Sequence, residues 1–274
     1  MPTMPATRTA LATALAAGLR VVRSAVLPLA ILSAALVPAV ALAQAEEDGP
    51  AVISPRDPSE EKADAVLTRM SDFLAAQPGF AFRAASFFDV DTNGDLVKRF
   101  VLHDVKLKRP NRVYFRSVFD DGNIMEGWFD GSRFTLVHPL QKTYSVIDIS
   151  GTVDDLILFL QERFNIRIPL GDVLFSNFME QHDPFILRTR FLGERTIEGA
   201  KVDQVSAELQ EADWQIWITG GVQPVPVRFL TTYLRPASRP EYMVTFLDWK
   251  FGAGPDSDYA GKIPADFKET DIDE

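Results

Sequence analysis

The chain has 274 residues, no cysteine and a formal net charge of -10. The missing thiols exclude disulfide frameworks, thiol catalysis and thiolate metal sites. The acidic balance argues against nucleic acid as a partner, and against holding an anionic membrane surface by charge alone.

Arg8, Arg20 and Arg23 precede an apolar run from Ala25 to Val40 that ends at Ala41-Leu42-Ala43. A basic start, an apolar middle and small residues before a polar stretch are the layout of a cleavable secretory signal. Pro28 and Pro38 interrupt the run, which falls short of the ~20 residues that span a bilayer. Residues 1–43 are therefore expected to be a signal peptide cleaved near Ala43, delivering the rest to the periplasm. Removing them takes away three arginines and no carboxylate, so the remainder is more acidic still. Residues 44–59, rich in Ala, Glu, Asp and Pro, read as a disordered leader.

Pro58-Ser59-Glu60-Glu61 opens a stretch in which Ala63, Val66, Leu67, Met70, Phe73 and Leu74 recur at helical spacing, stopped by Gln77-Pro78-Gly79. From Phe80 the period changes to two, and Asp91-Thr92-Asn93-Gly94-Asp95 supplies a hairpin turn. Strands follow over Val97–Leu107, Val113–Phe119, Ile124–Phe129, Phe134–Val137 and Thr143–Ile147, joined by turn sequences such as Asp120-Asp121-Gly122-Asn123 and Asp130-Gly131-Ser132. Connections this short demand an antiparallel meander.

Thr152 then caps a helix whose Val153, Leu156, Ile157, Leu160 and Phe164 share a face. A second short apolar helical segment, Leu170–Phe178, follows Pro169. Both carry apolar residues on more than one side, as a helix packed between a sheet and a neighbour does, or a lid over a cavity. Strands resume over Phe185–Phe191, Lys201–Leu209, Trp214–Ile218, Val227–Tyr233 and Tyr242–Phe251, before an acidic tail containing Ile263-Pro264. The fold class is α+β: a single large curved antiparallel sheet, a half-barrel of about eleven strands, with helices covering the concave face.

His103, His138 and His182 stand alone, with no second histidine at metal-binding spacing, so no metal site and no cofactor is expected. No Gly-x-Ser-x-Gly or phosphate-cradling glycine loop occurs. The pairs Asp120-Asp121 and Asp154-Asp155 fall in a turn and in the first turn of a helix, where structure alone explains them. No constellation for an enzyme emerges. The abundant feature is aromatic surface, with 20 Phe, 5 Tyr and 4 Trp.

The order helix, six-strand meander, helical insertion, five-strand meander resembles the periplasmic lipoprotein-carrier superfamily, the LolA and LolB half-barrel. Val105-Lys106-Leu107-Lys108-Arg109-Pro110-Asn111 is similar to that family's strand-to-turn motif. Asp130-Gly131, followed by an apolar strand and His138-Pro139, is similar to its next hairpin. The pattern around Leu74-Ala75-Ala76-Gln77-Pro78-Gly79-Phe80 resembles a group of predicted periplasmic proteins with this fold and no assigned function. The resemblance implies a LolA-like half-barrel domain over residues 60–274. It also implies a non-enzymatic carrier sheltering the acyl chain of a lipoprotein or lipid. Arg109 would hold the helical lids, although an Arg-Pro turn is also a common solvated connection. Val113, Phe115, Leu156, Leu160, Leu174 and Phe178 are the lining candidates. The same fold serves periplasmic regulators, so a sensor module that binds a periplasmic protein partner is the alternative. For that reading Trp214, Trp217 and Trp249 are the residues to inspect.

Overall fold

A computed structural model describes residues 57–272; the expected signal peptide and nearly all of the expected leader lie outside the described residues. Helix α1 (Pro58–Ala75) starts two residues inside that expected leader, because Pro58 suits a first helical position and Glu60 and Glu61 favour the positive end of the helix dipole. Its Ala63, Val66, Leu67, Met70 and Leu74 are all buried, the stripe that helical periodicity predicts.

The first meander comprises β1 (Gly79–Thr92), β2 (Asp95–Lys108), β3 (Arg112–Phe119), β4 (Ile124–Phe129), β5 (Arg133–His138) and β6 (Thr143–Asp148). Asn93 and Gly94 both take positive φ, the conformation a two-residue hairpin turn demands. The insertion consists of α2 (Val153–Phe164), a 3₁₀ turn at Gly171–Val173 and α3 (Phe178–His182). The second meander runs through β7 (Ile186–Ile197), β8 (Ala200–Leu209), β9 (Ala212–Thr219), β10 (Pro226–Tyr233) and β11 (Glu241–Phe251). Its last strand pairs antiparallel with β1, so both meanders form one sheet ordered β6-β5-β4-β3-β2-β1-β11-β10-β9-β8-β7. The result is a large, open, curved sheet in a half-barrel arrangement.

One face of this sheet is consistently buried. Phe82, Ala84 and Ser86 of β1, Val101, His103, Val105 and Leu107 of β2, and Val113, Phe115 and Ser117 of β3 share it, and the helices pack there. Alternate residues such as Phe87 and Leu102 lie on the outer face, about two-fifths exposed at 41% and 39%. Gly127 is required on the inner face, because a Cβ there would run into the ring of Phe115 opposite it on β3. Gly127→Ala should therefore cost about 1–3 kcal/mol of stability by overpacking, readable as a lowered urea midpoint at unchanged m-value.

Three features depart from the sequence reading. The strand expected to stop at Phe191 continues to Ile197, past a register shift at Gly193, whose φ of 107 suits a bulge. The helix expected over 170–178 is instead a 3₁₀ turn followed by α3. Asn177 sets that start by accepting a hydrogen bond from the Glu180 backbone N–H at 3.1 Å. The acidic tail adds anchoring contacts and a further strand. Tyr259 is buried, donating its hydroxyl to the Leu107 carbonyl at 3.3 Å. Gly261 lies against the Trp128 ring, and β12 (Lys268–Glu269) pairs parallel with the edge of β6, a twelfth strand. Lys108 and Lys142 hold the carboxylates of Asp256 and Asp266 at 2.6 and 2.7 Å. Exposed pairs of this kind stabilise by at most about 1 kcal/mol, so backbone pairing and Tyr259 anchor the segment more firmly.

Candidate functional site

The site is the junction of the inserted helices, the lid, with the inner sheet face. Thr152 and Asp155 form a reciprocal capping box: the Thr152 hydroxyl accepts from the Asp155 N–H at 3.2 Å, and the Asp155 carboxylate accepts from the Thr152 N–H at 2.8 Å. The Val153 N–H donates to the Pro110 carbonyl at 2.9 Å, tying the start of α2 to the β2–β3 turn. Asn165, in the left-handed region, ends the helix by returning its N–H to Gln161.

From that same turn Arg109 reaches into the lid. Its guanidinium donates to the carbonyls of Leu174 at 3.2 Å and Phe175 at 2.9 Å. These carbonyls lie between the 3₁₀ turn and α3, where no helical ladder would satisfy them. Burial lowers the Arg109 pKa from its ordinary value, and the Asp154 carboxylate pulls the other way. Asp154 itself accepts from the Ser176 N–H at 3.0 Å, closing a second polar tie within the lid. The sequence placed Asp155 correctly as a first-turn acid. The Asp154–Ser176 tie has no short-range signature, since 22 residues separate its ends.

Val113, Phe115, Leu156, Leu160, Leu174 and Phe178 come together in one contiguous apolar core, none more than 3% exposed. In this conformation lid and sheet press on each other across them. On the opposite side of the lid α3 joins α1, where Ser71 donates to Asn177 at 2.9 Å and accepts from the Met179 N–H at 3.1 Å. Past the end of α2, a cleft of about 580 Å³ lies between Phe164, Val146 and Ile147 and the C-terminal residues 269–272.

The histidines have separate surroundings. His182 stacks on Phe178 at 4.3 Å and meets Trp214 edge-on at 5.0 Å. Its Nδ1 faces the Phe178 carbonyl at 2.7 Å and its Nε2 faces the Asp172 carboxylate at 3.2 Å. His138, at the end of β5, has its pKa lowered by burial. His103 lies between Ser117 and Ser86, at 2.8 and 3.0 Å. Of the tryptophans, Trp214 is buried on the inner face. Trp249 packs among Phe80, Phe82 and Phe246 and donates its indole N–H to the Pro226 carbonyl at 3.1 Å. Trp217 sits half-buried on the outer face, as does Trp128, which Gly261 lies against. Among the described residues no group of three His, Cys, Asp or Glu could hold a metal ion, and no helix is long and apolar enough to cross a membrane.

Solved structures with similar chain paths are distant in sequence. A LolA superfamily protein from Nitrosomonas europaea shows 12% identity and a TM-score of 0.39, covering 73% of this chain and 97% of that one. The Mycobacterium tuberculosis lipoprotein LppX shows 12% identity and a TM-score of 0.43, covering 70% and 96%. The complex of MucA and MucB from Pseudomonas aeruginosa shows 13% identity and a TM-score of 0.40, covering 73% of this chain and 61% of that one. No curated protein sequence matches. A family model does: it spans residues 63–273, from the first buried position of α1 through the C-terminal segment, and the chain belongs to that family, described as predicted periplasmic protein (DUF2092).

Proposed function

We propose that this is a non-enzymatic periplasmic binding protein, exported by its N-terminal signal, that shelters the acyl chain of a lipoprotein or lipid between sheet and lid. The observation that carries the reading is how the lid is held. It presents Leu156, Leu160, Leu174 and Phe178 to the apolar core, whereas Arg109 holds it through hydrogen bonds to two backbone carbonyls. A polar latch over an apolar seam can be released without a polar group having to enter the seam. An incoming hydrocarbon would replace the lid's own contacts with Val113 and Phe115, and each methylene it buries contributes about 0.8 kcal/mol. The cleft beside Phe164 offers a starting point for such an exchange.

Native mass spectrometry of protein purified from its own periplasm tests this. Co-purifying lipid or acylated peptide is the expected result; repeated preparations carrying neither would overturn the reading. The alternative, a module that binds a protein partner, is favoured by the outer face, where the tilted rings of Phe87 and Phe100 meet at 4.9 Å beside Leu102. In the same spectra it predicts a stoichiometric protein adduct that Phe87→Glu removes.

A further inference from the structure

Four polar side chains line up across the inner face at the level of β3, β2, β1 and β11. Ser117 Oγ lies 2.8 Å from His103 Nδ1, His103 Nε2 lies 3.0 Å from Ser86 Oγ, and Ser86 Oγ lies 3.0 Å from the Tyr242 hydroxyl. Ser117 and Ser86 are essentially fully buried, at 0% and 1% exposure, whereas Tyr242 is only partly so. Each link holds one hydrogen, and a neutral imidazole carries only one N–H; an arrangement in which Ser86 accepts from both His103 and Tyr242 strands the proton of the buried Ser86, which leaves two orderings to compare.

In one ordering Ser117 donates to His103 Nδ1, His103 Nε2–H donates to Ser86, and Ser86 donates to the Tyr242 oxygen. The phenol proton is then left over. In the other every donor is reversed, and the proton left over belongs to Ser117. Ser117 has no other hydrogen-bond partner among the described residues, and a buried donor without an acceptor is strongly disfavoured. The first ordering therefore prevails, and it leaves the Tyr242 hydroxyl hydrogen free to donate to a group outside the row.

Tyr242 lies opposite Thr231, which in turn lies opposite Trp214, the residue against which the lid's His182 packs. Burial raises the phenol pKa against the opposing hydrogen bond of Ser86, with Asp172 and Tyr233 adding to the rise, so it stays protonated. The charge of Asp172 also disfavours an anion at this place. Resting on the acyl-chain reading, we propose that Tyr242 is the polar end of the ligand site and donates a hydrogen bond to the neutral carbonyl, ester or amide, at the head of the bound acyl chain.

Three probes of equal length test it on the mature protein: ethyl hexadecanoate for a glycerolipid ester, N-ethylhexadecanamide for an N-acylated peptide, and hexadecyl ethyl ether, which lacks the carbonyl. The native protein should bind at least one carbonyl probe about 3–10-fold more tightly than the ether, the margin of one hydrogen bond. Tyr242→Phe should abolish that margin and leave the ether affinity unchanged. Which carbonyl probe shows the margin distinguishes the two sources. A margin absent from the native protein, or retained in Tyr242→Phe, overturns the proposal and leaves the acyl-chain reading standing. Binding of none of the three removes both. Independently of any ligand, imidazole ¹⁵N shifts should show His103 with its proton on Nε2; a proton on Nδ1 would overturn the ordering.

Discussion

Replacing Arg109 with leucine should free the lid while leaving the sheet intact. The guanidinium supplies both donors to the Leu174 and Phe175 carbonyls, and hydrogen bonds from a charged donor are each worth about 1.5–3 kcal/mol. Leucine fills part of the volume, so a net loss of about 3 kcal/mol is expected, equivalent to lid opening on the order of 100-fold more frequent. Hydrogen exchange reads this directly. Amides from Val173 to Phe178 should exchange faster by that factor, whereas those of β1 and β2 should change little, because the N–H groups of the central strands are held in the sheet ladder. Arg109→Lys should fall between, since an ammonium keeps the charge but lacks the planar fork that spans two carbonyls. The Asp154 tie to Ser176 survives both substitutions and sets the floor of protection. Unchanged exchange over the lid in Arg109→Leu would make Arg109 an ordinary turn residue and remove the main support for the carrier reading.

Much of this architecture is legible one element at a time. The stripe Ala63, Val66, Leu67, Met70 and Leu74 demands a helix, and alternation through Phe80, Phe82 and Ala84 demands a strand. Asn93-Gly94 fixes the turn that joins β1 and β2. Two antiparallel meanders and two helical regions follow, and Val113, Phe115, Leu156, Leu160, Leu174 and Phe178 share one core because each lies on the apolar face of its element. What the sequence withheld depends on register between distant segments. Ser86 meets Tyr242 only because β1 pairs with β11, a contact 156 residues long, and no periodicity within either strand announces it. His103 therefore read as a lone residue of an alternating strand. The pairing of the C-terminal segment is illegible for a different reason. Its pairing with β6 involves only Lys268 and Glu269, too short for alternation to register, and its hold comes from Tyr259 and lysine–aspartate pairs on other elements.

Acid should weaken the fold through His103 before the carboxylates are titrated. Burial lowers its pKa from 6.5 to about 4, and the residue is only 7% exposed. Between those values the unfolded chain binds a proton that the folded chain refuses, so stability rises with pH across the window. The contribution is fully present above about pH 6.5 and is lost as pH falls toward 4, about 3 kcal/mol in all. Urea midpoints measured from pH 7 down to pH 4.5 should fall steeply for the native protein and less steeply for His103→Gln, which is weaker at neutral pH but has no imidazole to protonate. His138, whose pKa burial also lowers, acts with the same sign in both proteins and cancels in the comparison. Parallel slopes would show that His103 titrates as an exposed imidazole does, and would contradict its enclosure between Ser86 and Ser117. If the slopes diverge as expected, the reason lies in hydrogen count: a protonated ring donates on both sides, Ser117 must accept, and its own proton is stranded at a fully buried position.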